Sequence, residues 1–324
     1  MAPGELRTYQ LHGVTIASAY ALDAQPAPAD ASPDYTVLRG PRREAGGRPD
    51  PAEDGRLIAE LEMDGFAYWL AERPDGSWLM RYRDLADFEI DGSEITVHLA
   101  PESPEGFAPI LIAGGVIARI LSDRALLVLH ASAVELDGRA VALLGGSGAG
   151  KSTTAAYLCL AGVPLFTDDT LAVRLADPSP GTGADAPPRC YPGTGTVRLR
   201  PAALPRLGPE IGAWISGSSA DERLIARPPL SRHEQLELAA AVVLQRREGP
   251  GELSLTRLGG REAAIGLLRN PRSIGWQEPA RLRAEFEAIT RLAASIAVLE
   301  VSVPERLLGP ELGAELIALL REAL

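Results

Sequence analysis

The sequence predicts an α/β fold in which a β-rich N-terminal region, residues 1–105, precedes a larger domain of strands and helices, residues 106–324. Two observations support this prediction. Apolar and polar residues alternate in short segments over the first part of the chain, as is typical of antiparallel strands. Further along, a glycine-rich segment stands directly between a predicted strand and a predicted helix, an arrangement found in folds whose helices cover a largely parallel sheet.

The N-terminal region predicts a small antiparallel meander. Turn sequences such as Pro74-Asp75-Gly76-Ser77 separate its strand candidates. Residues 23–55 are rich in Pro, Ala, Asp and Arg, and we expect most of them to form a disordered surface loop, interrupted near Tyr35–Leu38. The strand candidates are Val14–Ala17, Leu57–Met63, Ala67–Leu70, Trp78–Tyr82 and Ile95–Leu99.

The second domain mixes both kinds of element. Phe107–Leu121 is apolar at helical spacing, with a glycine pair that permits close packing. Leu126–Val134 and Arg139–Leu144 predict two strands joined by the hairpin turn Leu136-Asp137-Gly138. Later elements are a helix over Ser152–Leu160, strands over Pro164–Thr167, Leu236–Gln245, Leu253–Arg257 and Ile296–Val303, and helices over Arg261–Leu268, Pro279–Ser295 and Pro310–Leu324.

A single lysine stands among the 32 basic residues, and it lies in GGSGAGKST, residues 145–153. This segment matches G-x-x-x-x-G-K-[ST], the phosphate-binding P-loop. A P-loop lysine places a compact charge between the β- and γ-phosphates, and the broad guanidinium of arginine does not replace it there. The motif therefore predicts that the protein binds a nucleoside polyphosphate.

In a P-loop the backbone N–H groups wrap the β-phosphate, the lysine neutralises phosphate oxygens, and the hydroxyl after it ligates Mg²⁺. Ser152 is the predicted metal ligand at this position. The predicted nucleotide-binding residues are Gly145, Gly146, Ser147, Gly148, Ala149, Gly150, Lys151, Ser152 and Thr153.

Asp168 and Asp169 end the predicted strand that follows the P-loop helix. Strand ends at this position face the nucleotide in such sheets. Two carboxylates beside Mg²⁺ can divide their work, one holding the metal through water and the other accepting a proton from an incoming hydroxyl. We therefore expect a kinase. His130, at the end of a strand upstream, is by itself more typical of a structural group.

Composition excludes several other classes. The net charge of −11 and the absence of a basic stripe argue against a nucleic-acid partner. The longest apolar runs are too short to span a bilayer, and the N-terminus does not resemble a signal peptide. Cys159 and Cys190 have no metal-ligand spacing and are expected to be small buried residues. We expect a cytoplasmic protein that does not bind membranes.

These residues resemble the HPr kinase/phosphorylase family, which combines a His-containing strand, a hairpin, a P-loop and a strand ending in two aspartates. His130 lies 21 residues before Lys151, and Asp169 lies 18 residues after it, as in the family. The resemblance, specific over 130–173, implies an HPr-kinase-like core in which Asp169 is the proton acceptor, His130 assists near the transferred phosphoryl group and Asp168 acts on the Mg²⁺ side. The family's metal-binding glutamate would fall near residue 194, where CYPGTGTVRLRP has no acid, and this argues against reverse phosphorolysis.

A weaker resemblance covers nearly the whole chain. The segments LHASAV, GGSGAGKST, DD and YPGTGTVRL are similar to those of HPr-kinase-related proteins in ribosomal peptide gene clusters, including lasso-peptide precursor kinases. This resemblance implies ATP- and Mg²⁺-dependent phosphorylation of a serine-type hydroxyl on a peptide or protein. Members of the bifunctional branch form rings of subunits, so a homo-oligomer is one candidate assembly.

Charge on a phosphoryl group in transit calls for an arginine. Arg198 and Arg200 follow a turn, while Arg223, Arg227 and Arg232 follow a Gly/Ser loop, and of these we select Arg223 and Arg227. Two other functions stay open: a kinase of a free amino acid or sugar, and a nucleotide-binding regulatory module with little turnover. The aspartate pair argues against the regulatory module, because binding alone needs no hydroxyl base.

Overall fold

The computed structural model describes residues 5–63, 65–176, 186–247, 251–272, 275–304 and 307–324. These residues form a mixed α/β protein, as predicted. The chain divides into two compact units, Met1–Ile120 with Ser273–Ala284 and Leu121–Arg272 with Glu285–Leu324. The first unit thus includes residues 106–120, which the sequence assigns to the second domain. The sequence also predicts a Pro/Gly-rich loop over Asp177–Pro188, most of which lies outside the described residues. None of the described helices is long and apolar enough to cross a membrane.

The first unit contains a nine-stranded sheet in the order β3-β1-β2-β4-β9-β8-β7-β6-β5. The strands β5 to β9 form the predicted antiparallel meander, whereas β4 pairs in parallel with both of its neighbours. The bounds are β1 Arg7–Leu11, β2 Val14–Ser18, β3 Gln25–Pro26, β4 Tyr35–Arg39, β5 Arg56–Met63, β6 Phe66–Glu72, β7 Trp78–Tyr82, β8 Ala86–Asp91 and β9 Glu94–Leu99.

Residues 23–55, predicted to be mostly a disordered loop, include β3 and β4 in the structure. Irregular backbone in this segment is fixed by arginine side chains. The guanidinium of Arg42 donates hydrogen bonds to the carbonyl oxygens of Ala100 (2.6 Å), Pro101 (3.0 Å) and Ser103 (2.8 Å). Arg43 donates to the fully buried carboxylate of Asp87 at 3.0 Å. Composition alone does not reveal such long-range partners, so the segment looks less structured in the sequence than it is.

The predicted helix over 107–121 is interrupted. It consists of α1 Phe107–Leu111, a π-helical turn Ile112–Val116 and α2 Ile117–Asp123. The turn contains Gly115, where a Cβ atom would overlap the hydroxyl oxygen of Tyr82. Glycine at this position therefore lets the helix approach the sheet closely, as the glycine pair in the sequence suggests.

The second unit has a sheet in the order β10-β14-β15-β19-β12-β11-β13, to which β21 adds on β19 and β20 on β21, and a small sheet β16-β18-β17. The strands are β10 Leu127–Leu129, β11 Ser132–Leu136, β12 Arg139–Leu144, β13 Leu165–Thr167, β14 Leu171–Arg174, β15 Arg189–Tyr191, β16 Val197–Leu199, β17 Ile215–Ser218, β18 Leu224–Ala226, β19 Leu236–Arg247, β20 Ser254–Arg257 and β21 Ala297–Pro304. The helices are α3 Lys151–Leu160, α4 Leu204–Leu207, α5 Gly260–Leu268, α6 Pro279–Ser295, whose first residues belong to the first unit, and α7 Leu312–Ala323.

Two hydrophobic clusters cover the faces of this sheet. Val242 and Leu244 of β19 pack in the cluster that contains buried residues of α3 and α7, and Ala241 and Val243 pack in the one that contains buried residues of α5 and α6. Alternate residues of a strand point to opposite faces, so both sides of β19 are buried. Because β12, β19 and β21 run parallel, their carboxyl ends meet at one edge of the sheet, where the glycine-rich segment follows β12.

Both cysteines are buried, as predicted, and neither forms a disulfide. Burial raises the pKa of the Cys159 and Cys190 thiols to about 12 each. Neither thiol is therefore ionised near neutral pH, which fits a packing role rather than a reactive one.

Candidate functional site

The candidate site lies in the second unit, at a corner where two neighbouring strands bend together. The sequence predicts one strand over Leu126–Val134, but the structure divides it at His130 and Ala131 into β10, which pairs with β14, and β11, which pairs with β12 and β13. The strand after α3 is divided in the same way, with Asp168 and Asp169 between β13 and β14. The two bends bring these aspartates next to His130.

The glycine loop, residues 145–150, connects β12 to α3 as the sequence predicts. Gly145, Gly148 and Gly150 have φ angles of +149°, +83° and +97°, a region that side chains other than glycine rarely adopt. Among the described residues, the N–H groups of residues 146–148 have no hydrogen-bond acceptor. Unpaired donors beside the first turn of a helix form a site suited to an anion.

The remaining residues of the predicted nucleotide site support this loop. The Cβ atom of Ala149 fills the space over Gly145, and Ser147 is exposed at the tip of the loop. Thr153 lies half-buried in the first turn of α3. The N–H of Gly145 donates at 2.9 Å to the side-chain oxygen of Asn270, which fixes the start of the loop.

Lys151 is the first residue of α3 and is only 7% exposed. Its ammonium group donates to the carbonyl oxygens of Gly145 (2.6 Å) and Gly146 (3.4 Å). Burial lowers the pKa of Lys151, while the carboxylates of Asp169 and Asp168 oppose that shift. The lysine is thus folded over the loop in a position from which its charge can reach a bound anion.

Asp168 is 3% exposed, and its side chain contacts the first turn of α3. One of its carboxylate oxygens, Oδ1, accepts hydrogen bonds from Ser152 (2.9 Å) and Ser132 (2.5 Å). The other, Oδ2, accepts from the N–H of Arg198 at 3.2 Å. The predicted metal-side pair, Ser152 and Asp168, is therefore in direct contact.

Asp169 points to a different set of partners. Its Oδ2 atom lies 2.8 Å from Nη2 of Arg272 and 3.6 Å from Nη2 of Arg198. Burial acts to raise the pKa of Asp169, but the charges of Arg272 and Arg198, and that of His130 when it is protonated, hold it well below its usual range. The side chain of Asp169 is therefore a carboxylate at neutral pH.

His130 completes the corner. Its Nδ1 atom lies 2.9 Å from the carbonyl oxygen of Asp169, which can only accept, so Nδ1 carries the proton. Burial lowers the pKa of His130, although Asp169 opposes the shift. The imidazole is thus neutral near pH 7, with Nε2 as its acceptor nitrogen.

The two arginines selected from the sequence lie in different surroundings. Nε of Arg223 lies 3.2 Å from Asp221, which also binds Arg198 at 3.2 Å, so the structure brings Arg223 and Arg198 together beside Asp169. Arg227 directly follows β18 of the small sheet, where its Nε donates to Ser216 at 3.1 Å and its backbone N–H donates to the carbonyl oxygen of Trp214 at 2.8 Å. Of the two, Arg223 is the one that contributes to the electrostatics of Asp169 and Lys151.

Sequence reasoning missed two residues of the site, Asn270 and Arg272, which follow α5. The segment 270–272 runs along β10: the N–H of His130 donates to the carbonyl of Asn270 at 2.9 Å, and the N–H of Arg272 donates to that of Val128 at 3.0 Å. The only local sign was the Asn-Pro dipeptide at 270–271, which favours a turn. Nothing in the sequence connects that turn to the glycine loop.

Thr194 lies in the segment where the resemblance led us to expect a metal-binding glutamate, and this segment contains no acidic residue. The hydroxyl of Thr194 donates to the carbonyl oxygen of Asp168 at 3.1 Å. Among the described residues, no group of three or more His, Cys, Asp or Glu side chains is arranged to hold a metal ion.

Comparisons with known proteins find similarity among solved structures. No family model matches the chain, and no curated protein matches it. A solved structure of the Hpr(Ser) kinase/phosphatase from Coxiella burnetii is similar, with 12% sequence identity and a TM-score of 0.31, over 60% of this chain and 95% of that chain. A TM-score this low does not establish a shared function, so the chemistry of the site has to be inferred from its own residues.

Proposed function

We propose that the protein is an ATP- and Mg²⁺-dependent kinase that transfers the γ-phosphoryl group to a serine-type hydroxyl of a peptide or protein. The observation that carries the proposal is that two adjacent carboxylates contact different partners. Asp168 contacts the hydroxyl of Ser152 at 2.9 Å, whereas Asp169 contacts Arg272 at 2.8 Å. Nucleotide binding alone would not need the second carboxylate, but phosphoryl transfer to an alcohol does.

The glycine loop supplies the site for the phosphates. Its unpaired N–H groups, the N-terminus of α3 and the ammonium group of Lys151 converge on the same space. Together these donors suit the oxygens of a polyphosphate better than those of a single carboxylate.

Ser152 and Asp168 fit a magnesium ion. Mg²⁺ prefers oxygen ligands, and in phosphotransferases it takes one or two of them from the protein and the rest from water and substrate phosphates. The pair offers a hydroxyl and a carboxylate oxygen 2.9 Å apart, while Ser132 and the N–H of Arg198 hold Asp168 in place. When bound, Mg²⁺ neutralises charge on the phosphate oxygens.

Asp169 then accepts the proton of the substrate hydroxyl. Its carboxylate is ionised and held by Arg272, so it can receive a hydrogen bond without first losing a proton. A low pKa is compatible with this role, because the phosphoryl-transfer transition state is largely dissociative and places little demand on base strength. His130 fixes the backbone of Asp169 through the 2.9 Å hydrogen bond, and Arg198, Arg223 and Arg272 provide positive charge beside the moving group.

The substrate class follows the resemblance of the sequence to kinases of ribosomal peptide precursors. To test it, the purified chain is incubated with Mg²⁺, γ-labelled ATP and a library of peptides that each contain one serine, alongside the same peptides with alanine. Free serine, free threonine and simple sugars form a third set. We expect label in serine peptides alone. Label only in the free compounds would support the small-molecule kinase, and ATP binding without any transfer would support the regulatory module.

A further inference from the structure

Arg246 lies beside the glycine loop. It belongs to β19, which neighbours β12 on the opposite side from β11 and β13. It is near the carboxyl end of β19, two residues beyond Leu244, so its side chain leaves the strand on the face covered by α3 and α7. A Cβ atom built on Gly150 would lie 3.1 Å from Cζ of Arg246 and closer still to Nη2. The guanidinium therefore rests against the residue that precedes α3.

This position is electrostatically unfavourable for an isolated cation. The N-terminus of a helix carries partial positive charge, so a guanidinium there is stabilised only if an anion binds nearby. Among the described residues, the exposed side chain of Arg246 has no acidic partner and no hydrogen bond. By contrast, Arg198, Arg223 and Arg272 are each paired with Asp169 or Asp221. Besides Lys151, the loop thus has in Arg246 a second cation placed for a ligand.

The sheet order decides which part of a ligand that cation meets. β19 and β13 lie on opposite sides of β12, the strand that leads into the glycine loop. Asp168 accepts a hydrogen bond at 2.5 Å from Ser132, the first residue of β11, which pairs with β12 on the side away from β19, so the transferred phosphoryl group belongs on that side. Arg246 is on the β19 side, and a polyphosphate held across the loop would present its other end to it.

We infer that Arg246 binds the nucleotide at its α-phosphate end, and that it determines nucleotide affinity rather than the rate of transfer. The inference rests on the proposed function, because it takes the ligand of the glycine loop to be ATP. A charge-assisted hydrogen bond to a phosphate oxygen is well suited to guanidinium geometry.

The test compares Arg246→Ala with Arg247→Ala, its neighbour on the same strand end, whose side chain points to the opposite face. Dissociation constants for ATP and ADP are measured by calorimetry in the absence of a phosphate acceptor. We expect Arg246→Ala to weaken both nucleotides about tenfold or more, the range for a hydrogen bond to a charged group. Arg247→Ala should bind like the wild type, and Arg246→Lys should recover part of the loss.

Steady-state kinetics supply a second readout. In Arg246→Ala the KM for ATP should rise by a factor similar to that of the dissociation constant, while kcat at saturating ATP falls little. Unchanged affinity for both nucleotides would overturn the inference, as would a large loss of kcat with unchanged affinity, which would place Arg246 on the transferred group. Failure of the proposed function looks different, because the wild-type protein would then bind no ATP or transfer no phosphate.

Discussion

Asp169→Asn tests the proposed mechanism most directly, because the structure indicates that it removes the charge and little else. Asp169 has a φ angle of +71°, which asparagine tolerates and alanine does not. The carbonyl oxygen that accepts from His130 is kept. We expect kcat to fall by about 10²–10⁴, the range for a positioned general base, which corresponds to about 2.7–5.5 kcal/mol of barrier height.

Nucleotide affinity, in contrast to kcat, should not fall in Asp169→Asn and should even rise. In the wild type, the charge of Arg272 is partly neutralised by its ion pair with Asp169 at 2.8 Å, and the carboxylate repels phosphate oxygens nearby. Removing one negative charge at such a distance is worth about 1 kcal/mol in a solvated site, or about a fivefold gain in affinity. Slower turnover together with ATP binding that is as tight or tighter is therefore the expected result.

Asp137→Asn is the matched control. Asp137 lies in the turn between β11 and β12, also has a positive φ of +50°, and pairs with Arg321 at 2.8 and 2.9 Å. Asp137→Asn is the same substitution and also removes one charge of an ion pair, but it lies at a surface position away from the glycine loop. Both variants are assayed for kcat across an ATP titration and for binding of a fluorescent nucleotide. Near-normal kcat in Asp169→Asn, or an equal loss in both variants, would refute the assignment of Asp169 as the base.

Three further predictions use the same assays. Lys151→Ala, and also Lys151→Arg, should reduce turnover to about 1% or less, the effect of losing one donor to the transition-state charge; near-normal turnover in a folded Lys151→Ala protein would overturn the P-loop assignment. Asp168→Asn should raise the Mg²⁺ concentration needed for half-maximal activity, because Asp168 contacts Ser152 at 2.9 Å, and a Mg²⁺ titration with an unchanged midpoint would count against it. Because the segment around Thr194 has no acidic residue, phosphorylated product incubated with inorganic phosphate should release no pyrophosphate, and efficient release would mean that another carboxylate supplies the metal ligand for phosphorolysis.

The sequence predicted those parts of the site that depend on local patterns. The glycine loop, α3 and the strand that ends at Asp168 are contiguous in the chain, and their order follows from the motif and from apolar spacing. The bend at His130 and Ala131 was not predictable in the same way, because LVLHASAV reads as one continuous apolar strand. Its division into β10 and β11 depends on two different partner strands, β14 and β12, and pairing of this kind is decided by the whole sheet.

The strand β8 was not among those predicted from the sequence, although a local pattern for it is present. β8, Ala86–Asp91, has the alternation of a strand, with Phe88 and Ile90 buried. It also contains Asp87, which is fully buried because Arg43 and Arg81 pair with it at 3.0 and 2.8 Å. A charged residue facing the interior hides the pattern of a strand unless its partners are known, and here one of them comes from the segment predicted to be disordered.

At the site, too, the sequence alone could not identify the arginine that contacts Asp169. Arg227 was selected for its position after a Gly/Ser loop, but Arg272, which contacts Asp169, is 103 residues from it in the chain. Asn270, which holds Gly145, is 125 residues from its partner. Both arrive on one segment because its backbone is fixed to β10 through Val128 and His130. No spacing rule could have chosen Arg272 among so many arginines.

That shared segment has a consequence for how the site works. Asn270 fixes the start of the glycine loop, and Arg272 fixes the carboxylate of Asp169, so one short stretch of backbone sets the distance between the phosphate site and the base. Asn270 is 4% exposed, and its amide also donates to the carbonyl of Gly266 in α5 at 2.9 Å, which makes the stretch an extension of a packed helix. Misplacement by about 1 Å can cost about 10²-fold in rate. A rigid link between the two halves of the site is therefore worth more to catalysis than either hydrogen bond is to stability, since a single hydrogen bond contributes only about 1 kcal/mol.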